Sequence, residues 1–139
     1  MTTTTLDHPA GRGRGAARIG WALSVVTILF FLMDGGMKIA NPPIIGETSA
    51  ALGWPADYAT ILLLAALLLG LTLLYAIPRT AMLGAVLLTG YLGGAVATHV
   101  RVGSPLFTHI LFGVYLGLFV WGGLWLRDPR IRALLPLRD

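Results

Sequence analysis

Trp54 to Val100 read WPADYATILLLAALLLGLTLLYAIPRTAMLGAVLLTGYLGGAVATHV, two apolar runs with Pro78-Arg79-Thr80 between them. About 20 apolar residues in a helix rise about 1.5 Å each and so cross roughly 30 Å of hydrocarbon. Proline suits a first helical turn and tryptophan the headgroup level, so Trp54-Pro55 is the expected start of one crossing, which runs to Ile77. The next spans Ala81 to Val100. A connection as short as Pro78-Arg79-Thr80 makes the two runs an antiparallel helical hairpin.

Outward from this hairpin lie two further runs of similar length. Ile19 to about Ile39 is stopped by Asn41-Pro42-Pro43, because proline removes a donor and disfavours helix in the residue before it. Residues 44–53 (IIGETSAALG) suit a short turn or helix lying on the membrane surface. After RVGSP at 101–105, Leu106 to Leu126 forms the fourth run, with Trp121 and Trp125 in an aromatic belt. The expected architecture is an all-α bundle of four transmembrane helices. It comprises a disordered basic arm at 1–18, the membrane domain at 19–127 and a short basic tail at 128–139. A basic arm before an apolar run also suits a secretory leader, but no A-x-A-like cleavage site follows and Met33-Asp34-Gly35-Gly36 is a poor substitute. Gly11, Gly13 and Gly15 are spaced like part of a phosphate loop but follow no strand, so a flexible tail is the better reading.

Composition agrees. Of the 139 residues 56% are hydrophobic and 12% charged, about half the charge that wets a soluble domain. Mean hydropathy is +0.80. The formal charge of +4 comes mainly from arginines near the two ends rather than from one folded face, so no nucleic-acid partner is expected. No cysteine is present, which excludes disulfides, thiol catalysis and cysteine-held metal centres in this chain. Lysine and arginine set the orientation. Arg12, Arg14, Arg18, Arg79, Arg127, Arg130, Arg132 and Arg138 fall on one side and only Lys38 and Arg101 on the other, which predicts both termini in the cytoplasm.

Asp34, Lys38, Glu47, Asp57, His99, Arg101 and His109 all fall at or near the outer ends of the helices or in the outer loops. A charge inside a membrane is costly and faces a partner or a wet cavity, so a site belongs there. Ser24, Thr27, Phe31, Asp34 and Lys38 recur at steps of three and four and share one helix face. Gly35 and Gly36 beside them permit close approach. Gly90, Gly94, Thr98 and Arg101 form a small-to-polar stripe on the third helix, and His109, Gly113 and Gly117 form one on the fourth. Such stripes mark helix contacts in lipid. If the three stripes face one another, Asp34, Lys38, Arg101 and His109 meet near the outer surface. His99 lies about 200° around an ideal helix from Arg101, so the two cannot aim at one point unless the helix end unwinds.

Each residue also has a plainer reading. Asp34 with Lys38 or Arg101 makes a structural ion pair, Arg101 snorkels to the surface, and both histidines sit at the interface. Glu47 and Asp57 are solvated loop charges, and Tyr58, Tyr75 and Tyr91 pack. Two histidines with Asp34 or Glu47 have suitable donors for a metal, but the i, i+4 His spacing is missing and no metal is expected.

The segments LFFLMDGGMKIANPP (Leu29–Pro43), ALGWPADYA (Ala51–Ala59), IPRTAMLGAVLLTGYLGGAVATHVRVG (Ile77–Gly103) and GGLWLRD (Gly122–Asp128) resemble the DoxX-like membrane proteins. The similarity runs from about Trp21 to Asp128. It implies a compact four-helix bundle in the bacterial cytoplasmic (inner) membrane, with Asp34, Lys38, His99 and Arg101 as the polar positions matching the family. Members include subunits tied to quinone-reducing thiosulfate oxidation and to oxidative-stress complexes of thiol and superoxide enzymes. The resemblance therefore implies a membrane subunit of a small redox system with an outer-leaflet pocket for a quinone or small anion and a redox partner protein. The alternatives are a non-catalytic scaffold docking a partner enzyme and a small-solute or ion carrier. Whether the chain is itself catalytic stays open, and self-association is compatible with its small-residue stripes.

Overall fold

The structure, a computed structural model, describes residues 10–135. The helices are α1 (Ala10–Ala40), α2 (Pro43–Ala51), α3 (Tyr58–Ala76), α4 (Ala81–Arg101), α5 (Phe112–Arg127) and α6 (Pro129–Leu134), with a π-helical turn at Leu106–Ile110 leading into α5. Among the described residues four segments are long and apolar enough to cross a membrane: Gly13–Ala40, Tyr58–Ala76, Ala81–Arg101 and Leu106–Arg127.

The spans close into a ring: α1 packs on α3 and α5, and α4 packs on the same two. Phe31, Leu68, Tyr75, Leu88, Val120 and Leu124 fill the shared interior. Around it the outward faces are as apolar as the core, with Leu29, Leu63, Leu73 and Leu118 all largely exposed. Apolar surface on every side is untenable in water and fits a helix bundle solvated by lipid, where backbone groups are satisfied within each helix.

Local chemistry explains the boundaries. Asn41 adopts a positive φ of 48°, ending α1 in the left-handed conformation that closes helices. Pro42 and Pro43 then start α2, where a missing N–H costs nothing. This helix fills the segment expected to lie on the membrane surface, and none of its residues is buried.

Three boundaries differ from the sequence reading. α1 begins at Ala10, so residues 10–18, expected in the disordered arm, continue the first helix. No proline follows Pro9 here, and Ala16, Ala17 and Arg18 favour helix enough to carry it toward the N-terminus. Residues 1–9 of that arm lie outside the described residues. α3 starts at Tyr58 rather than Trp54, because Asp57 caps it: its carboxylate accepts from Thr60 N at 2.9 Å and from Thr60 Oγ1 at 2.8 Å. These bonds to Thr60 hold the Asp57 carboxyl below its ordinary pKa. In the tail, Asp128 accepts from Arg130 N at 2.9 Å and starts α6, whose Ile131 returns to the core. Residues 136–139 lie outside the described residues.

Candidate functional site

The end of the bundle expected to face outward holds the α1–α3 connection and the α4–α5 turn. Its polar groups fall into three separate sets rather than one cluster. The first is an ion pair along α1 between Asp34 and Lys38, one helical turn apart and both half-buried. Arg101 does not join it. Its guanidinium donates to Leu52 O at 2.8 Å and lies over Gly53, tying α4 to the loop after α2.

The third set lies on the other side of α4. His99 Nδ1 bonds Ser104 Oγ at 2.9 Å, and its ring centroid lies 5.7 Å from that of His109. His109 Nδ1 in turn bonds Thr108 Oγ1 at 2.8 Å. His99 and Arg101 thus serve different neighbours, as their angular separation on an ideal helix requires. The π-helical turn puts His109 beside His99. Ile110 N bonds Pro105 O at 3.2 Å and Leu111 N bonds Leu106 O at 2.9 Å, and this extra residue in the turn shifts the direction of every side chain in it.

The expected meeting of Asp34, Lys38, Arg101 and His109 therefore does not form, and the glycines explain why. A Cβ built on Gly90, Gly94, Gly36 or Gly117 meets nothing within 4 Å, so these positions do not bring helices together. Of the expected stripe glycines, Gly113 and Gly35 make tight contacts, and the other tight contacts lie at Gly20 and Gly84. Gly20 lies against the backbone of Gly123 and Arg127, Gly84 against the backbone of Tyr75, and Gly113 against Val96 and Leu92 O. Gly35 does face a neighbour, the Leu69 side chain. The lower part of the α1 stripe points into the bundle, with Ser24, Thr27 and Phe31 buried.

Because its partner is Lys38, Asp34→Ala is expected to destabilise the bundle by about 1–2 kcal/mol, between an exposed pair and a broken buried one. Lys38→Met in that background should recover most of the loss in unfolding from mixed micelles. An unchanged double mutant would remove Lys38 as the relevant partner.

A groove of about 410 Å³ opens beside Arg101, lined also by Gly53, Trp54, Pro55, Ala97 and Thr98. Among the described residues the Arg101 side chain has one hydrogen bond, to Leu52 O, so most of its five N–H donors can serve a ligand. Trp54 adds an aromatic wall. The combination suits a flat, oxygen-bearing head or a small anion. Among the described residues no three His, Cys, Asp or Glu side chains group as a metal site.

Sequence reading missed the most buried polar arrangement. Tyr75 OH donates to Val120 O at 2.8 Å and lies 3.0 Å from Ser24 Oγ. Tyrosine has one hydroxyl proton, so Ser24 is the donor of the second bond. Ser24 stood out as part of a polar stripe, but no local spacing reveals partners 51 and 45 residues apart.

The sequence profile of the DoxX-like family matches residues 22–123. The chain belongs to the DoxX-like family. No curated protein and no solved structure matches it significantly. In this DoxX-like chain Asp34, Lys38, His99 and Arg101 all lie at one end of the bundle, divided among the three sets. The matched region runs from Ala22 within the first span to Gly123 within the fourth and takes in α2 and the groove.

Proposed function

We propose that this multi-pass membrane protein is the membrane subunit of a small redox or oxidative-stress-linked system. The groove beside Arg101 receives the head of a quinone or a small anion. The observation that carries this reading is the juxtaposition of Trp54, Thr98 and the donor-rich Arg101 around one open groove. A quinone carbonyl would accept from the guanidinium while its ring lies along the indole, and its apolar tail would remain in lipid. Any thiol exchange that feeds the quinone lies with a separate redox partner protein, because this chain has no cysteine. The basic end supports placing both termini in the cytoplasm and the bundle in a bacterial inner membrane.

The test is mass spectrometry of the full chain extracted in native lipid nanodiscs. A quinone should be retained by wild type and fall at least about tenfold in Arg101→Ala, the loss of one good polar anchor. Equal retention by the two proteins would remove the groove as the seat.

A second reading is a scaffold that docks a partner enzyme. It is favoured by the outward Gly90, Gly93 and Gly94 of α4, beside which a Cβ has open space. An empty groove with one specific co-purifying enzyme would make this the better description. The carrier alternative gains no support, since Ser24, Thr27, Thr72 and Tyr75 in the interior are all hydrogen-bonded within the bundle.

A further inference from the structure

The opposite end of the bundle contains an arginine in an unusual setting. Arg127, in the last turn of α5, is half-buried between two aromatic rings. Its guanidinium carbon lies 4.5 Å from the centroid of Trp21 and 5.0 Å from that of Tyr75. It donates to Tyr75 O at 3.2 Å, while its Nε is buried with no hydrogen-bond partner. Among the described residues no carboxylate pairs with it, since the sole ion pair there is Lys38–Asp34. Asp128, next in the chain, directs its carboxylate to the start of α6.

Next to Arg127 is a cavity of about 90 Å³, lined by Trp21, Pro78, Ala81, Leu124, Arg127 and Asp128. About 10–15 Å³ of such space admits one water, so the cavity has room for a small tetrahedral oxyanion. Around it the same end carries Arg14, Arg18, Arg79, Arg130 and Arg132, with Asp128 the one carboxylate among the described residues. An unpaired cation at the edge of the hydrocarbon is costly, and its planar fork matches phosphate. Basic recesses between membrane helices take anionic head groups in this way.

We propose that this cavity is a seat for the phosphate of an anionic phospholipid, held by Arg127 with Trp21 as its outer wall. The acyl chains pass over the half-exposed Trp21 into the bilayer. Arg127, with no carboxylate paired to it among the described residues, favours an anionic head over a zwitterionic one, while the surrounding exposed arginines only offset Asp128. This seat is separate from the groove at Arg101, on the other end of the bundle, and does not depend on that reading.

The test uses the full chain in nanodiscs of phosphatidylcholine with graded phosphatidylglycerol, counting retained lipid by native mass spectrometry. Wild type should keep one phosphatidylglycerol at least about tenfold over phosphatidylcholine, the selectivity of a built site. Arg127→Gln should abolish that preference. Arg127→Lys keeps the charge and the packed stem, so it should still fold in pure phosphatidylcholine yet lose most of the selectivity. The Arg79→Gln, Arg130→Gln double mutant should retain the lipid within about twofold, because exposed charges contribute little.

Equal retention of the two lipids by wild type overturns the proposal. So does a double mutant as defective as Arg127→Gln, which assigns the effect to diffuse surface charge. Displacement of the lipid by millimolar inorganic phosphate makes the seat one for a free anion, and that too overturns it.

Discussion

Tyr75→Ala is expected to cost about 3–5 kcal/mol of bundle stability, the range for deleting a fully buried aromatic ring. Tyr75 is completely buried, contributed by α3 to the interior where α1 and α5 meet. Its hydroxyl joins Ser24 of α1 to Val120 O of α5, so one side chain ties three spans. Tyr75→Phe keeps the ring and should cost only about 1–2 kcal/mol, the share of a buried hydrogen-bonded hydroxyl. Ser24→Ala should change the stability of the Phe variant little, because the bond it would break is already gone. Unfolding in mixed micelles, followed by tryptophan fluorescence, measures all four proteins. A Phe variant as stable as wild type would show that the hydroxyl relay is incidental. One as damaged as the Ala variant would assign the stability to the relay rather than the ring.

Alanine at Gly84 is the second large effect. A methyl group there overlaps the main chain of Tyr75, which cannot swing aside as a side-chain tip can. The α3–α4 hairpin is fixed close by, where Thr80 Oγ1 donates to Leu74 O at 2.8 Å. The helices must separate, so Gly84→Ala should destabilise by about 1–3 kcal/mol, as overpacking does. Gly90→Ala and Gly94→Ala lie on the same helix but face open space. They should leave stability unchanged or raise it by up to about 1 kcal/mol, through helix propensity alone. Equal penalties at the three glycines would mean that Gly90 and Gly94 are covered in the membrane, as the scaffold reading requires.

These predictions mark where sequence patterns are informative and where they stop. The four crossings were legible because each apolar run has the length of a bilayer and Pro42, Pro43 and Pro78 punctuate them. The opposed directions of His99 and Arg101 followed from helix geometry. Gly35 and Gly113 face neighbours as their stripes suggested, but Gly36, Gly90, Gly94 and Gly117 do not. Gly90 and Gly84 differ in no local property, and only the packing of α3 decides which touches a neighbour. The Asp34 partner was ambiguous for a similar reason. Lys38 is one turn away, whereas placing Arg101 required the path of the α2–α3 loop. Arg127 was legible only as a charge setting orientation, since Trp21 and Tyr75 come to it from distant parts of the chain.

The neighbouring positions of α1 and α5 also govern how the protein is made. Gly20 and Ser24, near the beginning of the chain, pack against Gly123 near its end. The first span therefore enters the bilayer long before its principal partner has been synthesised. The α3–α4 hairpin can form while the ribosome is still working, but the ring closes only once α5 has been inserted. Until then Ser24 lacks Gly123, the α5 residue that packs against it. A polypeptide truncated before Phe112 would keep this seam open, leaving the α1 surface around Gly20 and Ser24 for quality-control proteases and chaperones to detect.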